Sequence, residues 1–371
     1  MRNTGTRGYY GYRGRKSGGQ KWIVILLAVI LAAALIFLVA QRFIVYDNDG
    51  SYHFEVPGLS LGKHGGGAAQ SGASSGDGTP VTTPEGQDLE IVIEQPEQPE
   101  QPEPEPELPL HAQELDVSLL EKGGMTEALA ALPGDVNAAA VRLKLSSGDL
   151  LYPSALPDAA AAKAVKGTAS AAAEIAVLTG SDRHTIARLC ALHDSRYSTF
   201  NTPGAAVQQI KYKGYVWYDP DSTFYLAPEK EDARKYLASV AKEVAELGFD
   251  ELLLDEFTYP PVGRLSNIYT KDRTMTQEEA LALLADEMRA ALPEGVLLSL
   301  TLDADTLLAG SNEKTGQSVS VLAPRFDRIY VPTTEDRIAE LQAVLEPYGI
   351  EMIPILEAAP AAGGVYLLSA G

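Results

Sequence analysis

The stretch that most constrains the fold runs from residue 231 to residue 261 and ends in GFDELLLDEFTYPP. Residues 231–247 place apolar side chains at helical spacing, which predicts an amphipathic helix. Gly248 ends that helix, because glycine adopts the left-handed conformation of a helix C-terminus without strain. The apolar run 252–254 follows without alternation, as in a parallel strand covered on both faces. This stretch therefore predicts one helix–strand unit of an α/β fold.

Two acidic residues, Asp255 and Glu256, come directly after this strand. Because α/β barrels keep their chemistry at the carboxyl ends of their strands, Asp255 is the first candidate for a catalytic group. The alternative is that Asp255 only caps the loop that continues through Pro260 and Pro261, where proline excludes helix and central strand. Adjacent strand residues point to opposite sides, so Asp255 and Glu256 can both face the barrel mouth only if the strand has ended.

The chain from residue 110 to residue 371 alternates predicted strands with predicted helices, which indicates a parallel sheet. This length and pattern suit a (β/α)8 TIM-like barrel. The alternative is a doubly wound open sheet, but the glycine-rich phosphate turn typical of that fold is not in the sequence. Strands are predicted at 111–117, 136–145, 185–193, 252–254, 296–302, 326–331, 352–356 and 365–369. Helices are predicted at 125–132, from 158, at 168–179, 231–247, 276–292 and 334–345.

The first forty residues predict a membrane anchor. Residues 1–21 are basic and contain no acid, and residues 22–40 form the uncharged run WIVILLAVILAAALIFLVA. About 20 apolar residues span a bilayer as a helix. The positive flank predicts a cytoplasmic N-terminus, a single pass through the cell membrane and an extracytoplasmic remainder. A cleaved signal peptide is the alternative, although Gln41-Arg42-Phe43 provides no small-x-small cleavage site.

Residues 41–57 are mixed in composition and could form a short juxtamembrane element, and residues 41–109 as a whole are predicted to be a flexible, largely disordered linker. The segment 58–86 is rich in glycine and serine, which favours a flexible coil. Residues 94–107 read EQPEQPEQPEPEPE, which favours an extended polyproline conformation about 40 Å long. This composition predicts a stalk that holds the barrel domain, residues 110–371, away from the membrane.

Composition excludes several classes of function. A net charge of −20 argues against a nucleic-acid partner. The single cysteine, Cys190, allows no intrachain disulfide and no cysteine metal site, and its apolar surroundings predict a core position. Five histidines without an HExxH arrangement give no zinc signature. We therefore expect neither a metal nor another cofactor, although clustered acids could hold calcium.

The residues around the strand at 252–254 also carry a family resemblance. GYVWYDPDS at 214–222, YLASVAKEVAELGF at 236–249, DELLLD at 250–255 and Tyr259-Pro260 resemble the DUF4015 family of proposed glycoside hydrolases with a TIM-barrel fold. The resemblance covers about residues 110–371 and is most specific over 214–260. It implies a barrel that acts on glycans.

Several positions depart from the family pattern, so the chain resembles a divergent member. Arg142 stands where members usually carry an acid, and Thr258 where they often carry an arginine. Glu256 replaces the tyrosine that follows the strand-end acid. The motif after the sixth strand is reduced to YVPTT, beginning at Tyr330.

Glycoside hydrolysis needs two carboxyl groups, one protonated and one ionised, on either side of the bond. The resemblance implies that Asp255 is the nucleophile or charge stabiliser. Asp303, beyond the next strand, is the preferred partner, with Glu256 and Glu357 as further candidates. Asp303, like Asp305, could instead be a loop acid, and Glu357 could instead be a residue that faces solvent.

The predicted substrate-binding residues are charged or aromatic. Lys144 and Arg188 lie in strands that otherwise look buried, and a buried cation needs a partner such as Asp255. The alternative is a purely structural ion pair inside the barrel. Flat aromatic rings complement sugar C–H surfaces, although core packing is the commoner role for each of them. The predicted binding set is Lys144, Arg188, His193, Asp194, Trp217, Tyr218, Asp219, Tyr259, Tyr330 and Glu357.

These observations predict a membrane-anchored, extracytoplasmic glycoside hydrolase that acts on envelope or extracellular polysaccharide of a bacterium. Its expected partners are that polysaccharide and, through residues 22–40, the lipid bilayer. The first alternative is a non-catalytic carbohydrate-binding or scaffolding barrel, which the substitutions at Arg142 and Thr258 favour. The second is a barrel that only presents surfaces to protein partners.

Overall fold

The computed structural model describes residues 44–46, 52–54, 109–211 and 214–370. The chain forms two compact units, residues 1–99 and 100–371. In the first unit, β1 (Ile44–Tyr46) pairs antiparallel with β2 (Tyr52–Phe54). The predicted transmembrane segment at 22–40, the basic tail and the rest of the stalk lie outside the described residues. Among the helices that are described, none has the length and apolar character needed to cross a bilayer.

The second unit contains a closed barrel of eight parallel strands, which confirms the predicted α/β barrel. The strands follow one another around the barrel in chain order, and the open-sheet alternative is therefore excluded. A small antiparallel pair, β8 with β9, lies outside the barrel. The strands are β3 (His111–Glu114), β4 (Ala138–Lys144), β5 (His184–Cys190), β6 (Glu251–Asp255), β7 (Leu297–Thr301), β8 (Ser311–Asn312), β9 (Gln317–Ser318), β10 (Arg328–Pro332), β11 (Glu351–Leu356) and β12 (Tyr366–Leu368).

Helices connect most of the barrel strands. The predicted amphipathic helix runs over residues 231–246, and Gly248 beyond it has a φ of +96°. The helix after β6 begins with a capping box, in which Thr276 and Glu279 each satisfy the other's backbone N–H. The helices are α1 (Leu119–Lys122), α2 (Met125–Ala131), α3 (Pro157–Ala161), α4 (Ala169–Thr179), α5 (Ser195–Phe200), α6 (Thr202–Ala205), α7 (Glu231–Glu246), α8 (Gln277–Ala291), α9 (Ala304–Ala309), α10 (Val319–Leu322) and α11 (Ile338–Leu345).

The core has two layers, because successive strand residues point to opposite faces. Leu252 and Leu254 belong to the large cluster between the strands and the helices. Leu253 belongs to the smaller cluster inside the barrel, with Ile186 and Tyr330. The register that places Leu253 inside also directs Asp255, at the end of β6, into the barrel.

Two long loops cover the carboxyl ends of neighbouring strands. The predicted third strand, 185–193, ends at Cys190, and the chain then forms α5 and α6 before reaching α7. The loop from 191 to 230 therefore lies beside the loop from 256 to 276 at the barrel mouth. These loops carry most of the candidate site residues.

Candidate functional site

A buried ion-pair network fills the mouth end of the barrel. Arg188 donates from Nε to Oδ2 of Asp255 at 3.0 Å and from Nη2 to Oδ1 at 2.8 Å. Its third contact runs from Nη1 to Oε2 of Glu114 at 2.7 Å. All three side chains are buried. The two carboxylates contact terminal nitrogens of one guanidinium, which keeps their nearest oxygens within about 8 Å of each other.

Neighbouring strands complete this network. Thr301, at the end of β7, donates its hydroxyl to Oδ1 of Asp255 at 2.7 Å. Arg142 in β4 donates to Oε1 of Glu114 at 3.2 Å. Burial by itself would lower the pKa of Arg188, but the charges of Asp255 and Glu114 raise it above its ordinary value. Arg188 thus stays charged and fixes both carboxylates.

Glu114 was not among the residues that we predicted. Its strand has four residues, too few to show a pattern, but it is a charged residue two positions after the buried Ala112. The same reasoning that singled out Lys144 and Arg188 therefore also applies to Glu114. Arg142, which departs from the family pattern, binds this missed carboxylate.

Lys144 pairs with Asp194 rather than with Asp255. Its Nζ lies 2.8 Å from Oδ2 of Asp194, and both side chains are almost completely buried. The same ammonium group donates to the carbonyl of Cys190 at 2.8 Å. Oδ1 of Asp194 accepts from the backbone N–H of Tyr197 at 2.8 Å and caps α5. This pair joins β4 to the loop that follows β5, so its position is structural.

A second polar group lies at the rim, where Glu256 meets His193. The Oε2 atom of Glu256 is 2.5 Å from Nδ1 of His193, and Nε2 of His193 is 2.5 Å from Oγ1 of Thr223. The hydroxyl of Thr223 donates to Oδ2 of Asp219 at 2.7 Å. The imidazole also stacks on the ring of Tyr225, with centroids 4.3 Å apart and planes 5° apart. Sequence reasoning named three members of this group without connecting them.

The backbone of Glu256 explains how it can follow Asp255 and still reach His193. Its φ of +49° lies in the left-handed region, which is uncommon for a residue other than glycine. The strand ends at Asp255, so Glu256 is not a strand residue. Its side chain therefore need not point to the face opposite that of Asp255. Burial would raise the pKa of Glu256, but the hydrogen bond with His193 and the charge of that ring lower it below its ordinary value.

Asp303, the preferred second carboxylate in the sequence interpretation, serves as a helix cap. Its Oδ1 accepts from the backbone N–H of Thr306 at 2.8 Å, and its Oδ2 accepts from the Thr306 hydroxyl at 2.6 Å. Aspartate at an N-cap satisfies a free N–H of the first helical turn. Both oxygens of Asp303 are therefore engaged in the cap rather than directed at Asp255. Glu357 is exposed after β11.

The four aromatic residues do not form one exposed platform. Tyr330 is completely buried inside the barrel, and Tyr259 donates its hydroxyl to Oε2 of Glu229 at 2.5 Å below the surface. Trp217 is also buried and donates to the carbonyl of Arg264 at 3.1 Å. Tyr218 is 56% exposed. It lies at the edge of a pocket of about 320 Å³, which Trp217, Asp219, Arg264 and Asn267 also line.

Residues 125–332, more than half of the 371 residues, match the DUF4015 family, described as "Putative glycosyl hydrolase domain". The chain belongs to the DUF4015 family. The curated protein sequences contain no match to this chain.

Solved structures resemble this DUF4015 member in fold. A hypothetical protein from Ruminiclostridium thermocellum ATCC 27405 is 26% identical, with 47% of this chain and 87% of that chain covered and a TM-score of 0.41. The PgaB (BpsB) glycoside hydrolase domain from Bordetella bronchiseptica is 12% identical, with 72% and 94% covered and a TM-score of 0.51. The PelA glycoside hydrolase domain from Pseudomonas aeruginosa is 12% identical, with 68% and 85% covered and a TM-score of 0.38. At 12% identity the likeness to the PgaB (BpsB) domain is one of fold.

The described part of the chain offers acid–base chemistry rather than an evident metal site. Within residues 109–211 and 214–370, no group of three or more His, Cys, Asp or Glu side chains is arranged to hold a metal ion. Burial raises the pKa of the Cys190 thiol well above its ordinary value, so this side chain is a poor nucleophile.

Proposed function

We propose that the barrel is a glycoside hydrolase that acts on envelope or extracellular polysaccharide, with Asp255 and Glu256 as its two carboxyl groups. The observation that carries this proposal is the placement of Asp255 at the end of β6, turned into the barrel and held there by Arg188 and Thr301. Barrel enzymes keep their reactive groups at this end of the strands. Membership of a family described as glycosyl hydrolases supports the same reaction class.

In this proposal the two carboxyl groups have different environments. Asp255 receives three hydrogen bonds from charged and hydroxyl donors, which hold its carboxylate in a fixed position. Glu256 is partly exposed, and although its pKa is lowered, the imidazole hydrogen-bonded to it can pass a proton on through its carboxyl group. Asp255 would stabilise or attack the anomeric carbon, and Glu256 would protonate the leaving oxygen.

The second candidate is a barrel that binds glycans without cleaving them. One observation favours it: both oxygens of Asp255 are already occupied by Arg188 and Thr301. A carboxylate that must attack or accept a proton needs a free lone pair directed at the substrate. Binding alone would use the pocket beside Tyr218 and leave the ion-pair network as a structural support.

The experiment that separates the two candidates uses purified full-length protein and a panel of envelope polysaccharides. Turnover is measured as release of reducing ends for the wild type, Asp255→Asn and Asp305→Asn. Asp305 is 94% exposed and makes one long ion pair, at 3.8 Å, so it is the matched control. Loss of about 10²-fold or more in kcat for Asp255→Asn alone supports hydrolysis. Equal turnover by Asp255→Asn and wild type removes Asp255 from the reaction, and binding without any turnover favours the second candidate.

We further propose that residues 22–40 anchor the protein in the cell membrane with the barrel outside. The uncharged run and its basic flank support this orientation. Protease added to intact cells should then remove the barrel domain and leave a protected N-terminal fragment. A barrel that is digested only after lysis would contradict this orientation.

A further inference from the structure

The group at the rim is a continuous chain of four side chains, Glu256, His193, Thr223 and Asp219. Its inner end is Asp219, which is buried. Oδ1 of Asp219 accepts from the backbone N–H groups of Asp221 and Thr223, at 3.1 and 2.8 Å, and Oδ2 accepts the Thr223 hydroxyl at 2.7 Å. Three donors converge on this carboxylate, so it is the acceptor in each of these hydrogen bonds. The proton of the Thr223 hydroxyl therefore points to Asp219.

This assignment fixes the tautomer of His193. Because the only proton of the Thr223 hydroxyl is given to Asp219, Oγ1 can offer His193 only a lone pair. Nε2 of His193, 2.5 Å away, must then carry a hydrogen and donate it. An imidazole with a hydrogen on Nε2 has a bare Nδ1 when neutral and a second N–H when charged.

One further proton is consequently shared between His193 and Glu256. Nδ1 and Oε2 are 2.5 Å apart, and two acceptors without a hydrogen would repel at that distance. Either the imidazole is charged and the carboxylate ionised, or the imidazole is neutral and the carboxyl group protonated. We propose that this pair is the proton donor of the hydrolysis, with Glu256 as the catalytic residue and His193, Thr223 and Asp219 as positioning residues. This inference rests on the proposed hydrolase function.

The proton balance of the reaction is simple. The glycosidic C–O bond breaks, and the leaving oxygen receives the shared proton through the Glu256 carboxyl group, so that His193 becomes neutral with its hydrogen on Nε2. One water supplies the oxygen that bonds to the anomeric carbon. The proton that this water loses replaces the one given up by the pair.

The position of Glu256 agrees with this role. It is adjacent to Asp255, its side chain is 45% exposed while that of His193 is 13% exposed, and its left-handed backbone turns it towards the ring. Substrate can therefore approach the carboxyl group, while the imidazole remains stacked on Tyr225. Strained backbone at such a position is typical of functional sites.

Other titratable groups surround the pair and contribute to its pH dependence. Charged and titratable side chains from four places interact with Glu256, Cys190 and Tyr225. They lie on β4, at the ends of β5 and β6, and in the loop after β5. These groups are Lys144, Cys190, Asp194, Asp219, Asp221, Tyr225 and Asp255. Lys144 is the cation among them, and it is paired with Asp194.

A test that does not require activity follows the tautomer of His193. Long-range ¹H–¹⁵N spectra of the full-length protein report which ring nitrogen carries a hydrogen, and His193→Gln identifies the signals among five histidines. In the wild type, Nε2 should carry the hydrogen throughout the pH range in which the fold is intact. In Thr223→Val the neutral ring should switch to a hydrogen on Nδ1, because Glu256 is then its only acceptor. If the neutral ring of His193 keeps its hydrogen on Nε2 in Thr223→Val, the proposed hydrogen-bond chain from Glu256 to Asp219 is wrong.

A second test uses leaving-group dependence and a pH profile. Glu256→Gln should lower kcat/KM by about 10²–10⁴-fold for substrates with alkyl or sugar leaving groups, and far less for aryl leaving groups that need little protonation. Thr223→Val should lower kcat by about tenfold, leave KM nearly constant and move the basic limb of the pH profile. The matched control is His184→Gln, because His184 forms a similar pair with Glu251, at 2.7 Å, at the other end of the barrel.

The two tests distinguish failure of this inference from failure of the proposed function. An active enzyme whose pH profile is the same in Thr223→Val and His184→Gln would overturn the shared-proton donor while leaving the hydrolase in place. A protein that hydrolyses no glycan but shows the tautomer switch would retain the hydrogen-bond chain and refute its catalytic role.

Discussion

Arg188 and Asp255 face each other inside the barrel mouth through two parallel hydrogen bonds of 3.0 and 2.8 Å. The same guanidinium reaches Glu114 with its remaining terminal nitrogen. One cation on β5 thus holds two carboxylates, one from β3 and one from β6. The geometry makes Arg188 the residue on which the arrangement of the mouth depends.

Replacing Arg188 should therefore destabilise the protein strongly. Arg188→Met leaves the buried Asp255 without a counter-charge and Glu114 with only the half-exposed Arg142, and removal of one partner from a buried ion pair costs about 3–5 kcal/mol. Urea unfolding at neutral pH measures this loss. The triple variant Arg188→Met/Glu114→Gln/Asp255→Asn should recover a large part of it, because the one charge left without its partner, on Arg142, is half-exposed to solvent. If the triple variant is less stable than Arg188→Met, the charge explanation is wrong.

Lys144 and Asp194 should show strong energetic coupling. Both side chains are buried and lie 2.8 Å apart, so each single substitution leaves a buried charge unpaired. Lys144→Met should cost about 3–5 kcal/mol, whereas Lys144→Met/Asp194→Asn should cost less than the sum of the single losses. The Asp194→Asn substitution keeps a side-chain oxygen that can accept from the N–H of Tyr197. The cap of α5 is therefore kept in both the single and the double variant. Additive losses in urea unfolding would mean that the two side chains do not interact.

The barrel was predictable because its signals are local and repeated. The apolar run 252–254, the glycine before it and the capping box at Thr276 each identify an element without tertiary information. The pair β8 and β9, with two residues each, and the short helices α5, α6 and α9 are too brief to show a period. They were missed for that reason.

The site was predictable only in part, because the same sequence pattern can correspond to two different structural roles. An aspartate after a strand can line a barrel mouth, as Asp255 does, or cap the next helix, as Asp303 does. Charge within an apolar strand identified Lys144 and Arg188 but could not show that Lys144 binds Asp194 and Arg188 binds Asp255. Thr223, the link between His193 and Asp219, carries no signal in the sequence.

The opposite end of the barrel should contribute pH-dependent stability through Glu251. This completely buried carboxylate contacts His184 at 2.7 Å and Arg328 at 2.8 Å. Burial would raise its pKa, but the hydrogen bond with His184 and the charge of Arg328 lower it below the ordinary value of 4.5. A carboxyl group whose folded pKa is depressed stabilises the fold above its unfolded pKa, and that contribution disappears as the pH falls through the folded pKa.

Stability measured from pH 7 to pH 3 tests this assignment. Wild type should lose unfolding free energy more steeply below about pH 4.5 than Glu251→Gln, which has no proton to bind there. Glu351→Gln is the matched control, because Glu351 contacts the same Arg328 at 3.2 Å but is 46% exposed. Equal slopes for wild type and Glu251→Gln would show that Glu251 does not titrate differently in the folded and unfolded chains.

Gly148, in the turn after β4, should be the glycine least tolerant of a side chain near the site. Its φ is +88°, and a Cβ atom there would collide with Oδ1 of Asp194 and approach the backbone nitrogen of Arg196 to 3.0 Å. Gly295 has a similar φ of +90° but open space around the same position, so Gly295→Ala isolates the cost of the backbone conformation. That cost is about 1–2 kcal/mol. Gly148→Ala should lose more unfolding free energy, because Asp194 must shift and weaken its pair with Lys144. Equal losses for both variants in urea unfolding would mean that the added methyl group does not disturb Asp194.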